Sequence, residues 1–170
     1  MNPVVIQVRS VKQSGLLRGF TLIELLITLA ILGLLASLAL PVERTVIQRG
    51  KEQELRYDLR QIRYAIDTYK KAYDAGKIPK SINNSGYPKS LGILVAGVID
   101  QTDPKQRMIH FLRHVPRDPM NPDISLTPEE SWGKRSYFSD PDSPSEGEDV
   151  FDVYSKSTAI GLNGAPYQKW

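Results

Sequence analysis

The chain has 170 residues, enough for one modest domain and an additional segment, and its 41% apolar content allows a packed core. It contains no cysteine, which excludes a disulfide framework, a thiolate zinc site and cysteine catalysis. The net charge of +3 resides in Arg9, Lys12 and Arg18, which precede Gly19 with no acid among them. The remainder is neutral and offers no concentrated basic footprint for nucleic acid.

The first element in chain order is an apolar helix. From Leu25 to Leu40 there is no charge, and from Phe20 to Leu40 there is one, Glu24. About 20 apolar residues cross a ~30 Å hydrocarbon core, so the segment is long enough to span. The preceding basic residues hold that end in the cytoplasm and put everything after Pro41 outside it. A secretory signal peptide and a plain single-span anchor are the alternatives on hydropathy. The run exceeds the usual ~7–15 residues of a signal core, and no small-x-small site closes it neatly, Ser37-Leu38-Ala39 being the nearest. Glu24 is unexpected in either. A carboxylate in a membrane segment is a functional hypothesis, set against the simpler reading that it reaches the headgroups.

Gly19-Phe20-Thr21-Leu22-Ile23-Glu24, placed before a spanning apolar run, resembles the class III signal of type IV pilins and type II secretion pseudopilins. The resemblance implies a membrane peptidase cut between Gly19 and Phe20, removing a leader over residues 1–19, and N-methylation of Phe20. It implies that Glu24 neutralises the terminal amine of a neighbouring subunit during assembly. Pairing a buried carboxylate with a buried ammonium offsets part of the cost of burying each. Pro41 falls where the family has a helix-bending proline.

Proline ordinarily ends or kinks a helix, yet the helical pattern resumes after it. Leu55, Leu59, Ile62, Ile66, Tyr69 and Tyr73 follow a 4-3-4-3-4 spacing, the mark of one apolar stripe on an amphipathic helix. The stripe predicts a seat for a globular domain; a coiled coil is the alternative. Gly76 reads as the C-terminal cap. From Phe20 to Ala75 the helix would be ~84 Å long at ~1.5 Å per residue. The expected divisions are 20–41 for the membrane or filament-core half, 42–76 for the amphipathic half, and 77–170 for a C-terminal periplasmic region packed on the helix.

The C-terminal region is rich in turns. The pattern predicts a short helix from Lys89 to Ala96, a second from Pro104 to His114, and irregular chain around Pro116, Pro119 and Pro122. Trp132–Ser139 and Val150–Ser155 read as an antiparallel strand pair, with room for a third strand near the C-terminus. The fold class expected is α+β. Tyr87-Pro88-Lys89-Ser90-Leu91, the stretch Phe111 to Pro119, and Phe151-Asp152-Val153-Tyr154-Ser155 resemble the domain of the major pseudopilin. Two departures stand out: Met120 replaces the tryptophan that commonly follows the Asp-Pro, and Lys156–Trp170 contains none of the family's calcium-binding acids. The other candidate for calcium is the loop bearing Asp140, Asp142, Glu146, Glu148 and Asp149. It lacks an EF-hand spacing and Pro141 and Pro144 restrict it, so a solvated loop and no cofactor are expected.

No catalytic constellation is present. His110 and His114 stand four apart without a Glu or third ligand that would make a metal site, and no glycine loop cradles phosphate. The resemblance therefore implies a structural subunit, not an enzyme. It would polymerise with itself and other pseudopilins into a short periplasmic filament that pushes exoproteins outward. Its further partners would be a prepilin peptidase, an inner-membrane platform protein with its ATPase, and the lipid bilayer. A type IV pilus subunit and a non-polymerising membrane-anchored binding module are the alternatives.

Overall fold

The computed structural model describes residues 19–80 and 85–170, with the side chains of 38–44 outside the description. The leader therefore lies outside the described residues except for Gly19. The element order is α1 (Leu22–Asp74), α2 (Leu91–Ala96), β1 (Val98–Ile99), β2 (Met108–Ile109), β3 (Trp132–Arg135), β4 (Asp152–Ser155) and a 3-10 turn (Tyr167–Lys169). This is the expected α+β class. The chain divides into two units, Met1–Val42 and Glu43–Trp170. The bend expected at Pro41 falls among the side chains outside the description.

In the first unit α1 starts where its sequence provides a cap. The Thr21 hydroxyl accepts the Glu24 N–H at 3.3 Å and the Thr21 carbonyl accepts the Leu25 N–H at 3.1 Å. Thr28 and Ser37 turn their hydroxyls back onto the carbonyls of Leu25 and Leu34. Their polar groups are thus satisfied within the helix, as an apolar environment demands. The large apolar side chains from Phe20 to Leu35 are all more than half exposed. Among the described residues no helix is long and apolar enough to cross a membrane.

The second unit is built on the distal part of α1. Every residue of the predicted stripe is buried: Leu55, Leu59, Ile62, Ile66, Tyr69 and Tyr73, joined by Ala65. Covering them are Ile78, Leu91, Leu94, Leu112, Trp132, Val150, Val153 and Tyr167. The stripe thus packs on the chain's own domain. Full burial of each aliphatic residue contributes about 1.5–3 kcal/mol. The helix ends as its sequence indicates. Gly76 has φ +74°, its N–H donates to the Tyr73 carbonyl, and the Lys77 N–H reaches the Ala72 carbonyl. That pair of bonds is a Schellman cap, and the left-handed conformation suits glycine.

The remaining elements are short. α2 has Leu91 and Leu94 in the core, and its N-terminus is capped from a distance: both Glu129 carboxylate oxygens accept, from Leu91 and Gly92 N–H, at 3.0 Å each. The helix expected over 104–114 does not form. Its residues Met108 and Ile109 pair instead with Ile99 and Val98. Asp100 and Asp103 accept the backbone N–H groups of Thr102 and Lys105, turning the chain locally at the helix's expense. β3 and β4 pair antiparallel from Trp132↔Ser155 to Arg135↔Asp152. Gly133 lies under the Tyr154 ring, where an added Cβ would stand 2.3 Å from ring carbon. β3 stops four residues short of expectation because Ser136 and Tyr137 turn to donate to Asp149, at 2.8 and 2.9 Å. The third strand near the C-terminus is reduced to one bridge, Ile160↔Pro166, since a proline has no N–H to extend a ladder.

Candidate assembly and processing site

Gly19, Phe20 and Glu24 lie together at the start of α1. Gly19 precedes the helix and is exposed; a Cβ there would meet nothing within 4 Å. Phe20 is 81% exposed. Thr21 is the N-cap, so Glu24 is the third helical residue, where a carboxylate favours the helix dipole. Thr21-Leu22-Ile23-Glu24 has the sequence of a capping box, yet the described contacts include only its first half. The Glu24 carboxylate has no hydrogen bond or ion pair among the described residues.

In the second unit the structure brings together groups that the sequence reading missed. Glu52 is buried, and its Oε1 accepts from Leu162 N–H at 2.8 Å, Tyr167 O–H at 2.9 Å and Gln48 Nε2 at 3.2 Å. Arg63 donates to Asp152 at 2.8 Å, to the Val153 carbonyl at 3.1 Å and to the Trp170 carbonyl at 2.8 Å. The segment after β4 is thereby fastened to α1 by direct side-chain bonds. A signal for Glu52 was available: it stands three residues before Leu55 and seven before Leu59, in register with the stripe. Replacing Glu52 with alanine should leave Tyr167 O–H and Leu162 N–H without their acceptor and cost about 2–4 kcal/mol. Thermal unfolding of the full chain in detergent measures that loss.

Asp118 is buried and fully engaged. It accepts from Ser155 Oγ at 2.7 Å and Met120 N–H at 2.8 Å, and its own N–H donates to Ser131 Oγ at 3.0 Å. Burial pushes its carboxyl up, and the bonds the carboxylate accepts, from Ser155 and from the Met120 and Lys156 N–H groups, work in the opposite direction. Trp132, which follows Ser131, donates its indole N–H to the Pro116 carbonyl at 2.8 Å and is completely buried. The excursion from 119 to 131 therefore returns a tryptophan to the vicinity of Asp118, although position 120 is methionine.

Asp58 differs. It is 7% exposed, and its carboxylate receives no hydrogen bond among the described residues. Burial first, then the charges of Glu54 and Asp118, push its pKa from 3.8 to about 6, with His114 pulling the other way. Below its ordinary value both folded and unfolded forms are protonated. As pH rises from 3.8 to about 6 the unfolded chain gives up the proton first. Stability therefore falls through that window, by up to about 3 kcal/mol. Asp58→Asn should stabilise the protein at pH 7 and have little effect at pH 3.5. Parallel thermal melts at the two pH values test this.

The other candidates disperse. Asp149 is buried and engaged by Ser85, Ser136 and Tyr137; Asp140 accepts the Asp142 N–H at 2.8 Å. Glu146 lies 4.0 Å from Lys134. Among the described residues no group of three or more His, Asp or Glu could hold a metal ion. His110 follows β2 and places Nδ1 2.9 Å from the Val95 carbonyl, so the helix face that would have paired it with His114 does not exist.

A long helix with this N-terminal hexapeptide, carrying a small α+β domain on its distal stripe, defines a pilin-like protein. Residues 18–40 match the prokaryotic N-terminal methylation motif. The chain is 32% identical to type II secretion system core protein G of Pectobacterium carotovorum subsp. carotovorum, over 72% of this chain and 74% of that protein. It is 30% identical to the protein of the same name from Klebsiella pneumoniae, over 78% and 90%. It is also 43% identical to the type IV major fimbrial protein FimA of Dichelobacter nodosus, over 32% of this chain and 35% of that one. No solved structure gives a significant match. The chain belongs to the type II secretion system core protein G family, a family of structural pseudopilins, and is a pseudopilin subunit.

Proposed function

We propose that the chain is made as an inner-membrane precursor, cut between Gly19 and Phe20 by a prepilin peptidase, and methylated on Phe20. Residues 20–41 would then be the membrane half, with the N-terminus cytoplasmic and the domain periplasmic. Extraction from the bilayer delivers the same apolar surface to a filament of identical and related subunits. The observation that carries this reading is the Glu24 carboxylate one helical turn beyond the cleavage point, without a bond among the described residues and amid exposed apolar side chains. Such a carboxylate supplies the partner that a neighbour's terminal amine requires in an apolar filament core. A platform protein and its ATPase would drive the step, because extraction of so much apolar surface from lipid is uphill.

The residues do not fit a calcium ion in the segment after β4. Lys156–Trp170 contains no acid, and of the carboxylates that reach it Glu52 is already committed to three donors and Asp118 to Ser155, Met120 and Lys156. The proposed fastening of this segment is the Glu52 and Arg63 bonding itself.

The fimbrial match supports a second reading, a pilus subunit, over less than a third of the chain. Deletion of the gene, complemented by the wild type, separates the two. Loss of exoproteins from the culture supernatant with pili intact supports the secretion reading. Normal secretion with loss of pili or twitching overturns it.

A further inference from the structure

On the side of the domain where the last residues meet α1 there is an open groove of about 330 Å³, lined by Arg56, Leu59, Arg60, Arg63, Lys169, Trp170 and two small neighbours. Arg56, Arg60 and Arg63 recur at helical spacing along one face of α1. No acid lines the groove. Arg63 is neutralised by Asp152, but Arg56, Arg60 and Lys169 are exposed and have no acidic partner among the described residues. Arg56 is held in place, its guanidinium 4.4 Å above the Trp170 ring. Three unpaired cations with an apolar floor form a site for a carboxylate-bearing segment.

The same unit carries such a segment. Between Ser136 and Asp149 there is no Lys, Arg or His, and Asp140, Asp142, Glu146 and Glu148 are all exposed. Pro141 and Pro144 restrict its backbone, which lowers the entropy lost on docking. Within one molecule no ion pair joins this loop to Arg56, Arg60 or Lys169 among the described residues. An open filament needs heterologous contacts, in which two different patches of each copy meet.

We infer that the acidic loop 140–148 of one copy seats in the Arg56/Arg60/Lys169 groove of a second copy. The inference rests on the reading of the chain as a polymerising subunit. Exposed pairs of this kind set register and partner choice more than raw affinity, and they weaken with salt.

The absence of native cysteine makes the test direct. Arg60→Cys and Glu146→Cys are placed on two full-length, differently tagged copies, which are co-expressed with the secretion system and oxidised. A disulfide-linked heterodimer is expected. In the second arm, Arg56→Glu with Arg60→Glu, and separately Asp142→Lys with Glu146→Lys, should each lower assembled filament at least about tenfold. Co-expression of these two variants should restore it, which neither would do if it failed to fold. The inference is overturned if filaments form with no heterodimer, if a chain bearing both cysteines closes on itself, if the cysteines capture a different protein, or if the charge-reversed variants assemble normally. If the wild-type chain forms no filament at all, the pseudopilin reading itself has failed, and the inference with it.

Discussion

Glu24→Gln should give a subunit that is inserted and cleaved normally but does not assemble, with extracellular exoprotein falling at least about tenfold. The substitution preserves side-chain volume, and the Thr21 hydroxyl still caps the helix through the backbone N–H of residue 24. What it removes is charge. A terminal ammonium packed among the leucines and isoleucines of α1 then has no counter-ion, and breaking a buried pair costs about 3–5 kcal/mol. Immunoblotting for the processed form, sheared-filament assays and supernatant enzyme activity read the three steps separately. Normal secretion by the Gln variant would show that Glu24 serves only to reach the headgroups.

The second large effect belongs to the domain. Trp132→Ala should destabilise it by about 3–5 kcal/mol, seen as a fall of about 10 °C or more in the melting temperature followed by circular dichroism. Trp132 is the largest completely buried side chain, and its removal also leaves the Pro116 carbonyl without a donor. Met120→Ala provides the contrast. Met120 packs only partly buried against the core, and a smaller loss is expected. If the two variants melt alike, the assignment of the structural tryptophan to position 132 is wrong.

These two predictions depend on features that were not equally legible in the sequence. The N-terminal hexapeptide and the stripe from Leu55 to Tyr73 were readable because each is a fixed-spacing pattern: one sets a helix start, the other a buried helix face. Gly76 was readable for a related reason, since a left-handed cap all but requires glycine. The stretch from Asp100 to His114 was not. Its apolar residues sit at spacings compatible with a helix, and what excludes one is the competition of Asp100 and Asp103 for backbone N–H groups and the pairing of Met108 and Ile109 with a distant strand. The return of Trp132 to Asp118 is likewise a matter of where a long excursion closes, which no local pattern encodes. Glu52 and Asp58 are charged residues on an amphipathic helix and so carry no apolar signal of burial, although the helical register places Glu52 with the stripe. The acidic loop was expected to be solvated, and four of its five carboxylates are exposed, but Asp149 is taken up by Ser85, Ser136 and the Tyr137 N–H.

The covering of the stripe has a consequence for the order of events during synthesis. Val150, Val153 and Tyr167 roof residues that were translated about a hundred positions earlier, beginning with Leu55. Until those late residues emerge, the stripe of α1 is only partly covered, by Ile78, Leu91, Leu94, Leu112 and Trp132. It cannot complete its core piecemeal as it appears. The domain must wait for its own tail, so any nascent-chain binding factor or lipid surface that shelters a helix has its longest opportunity here, and a chain interrupted before Val150 would be a ready target for proteolysis.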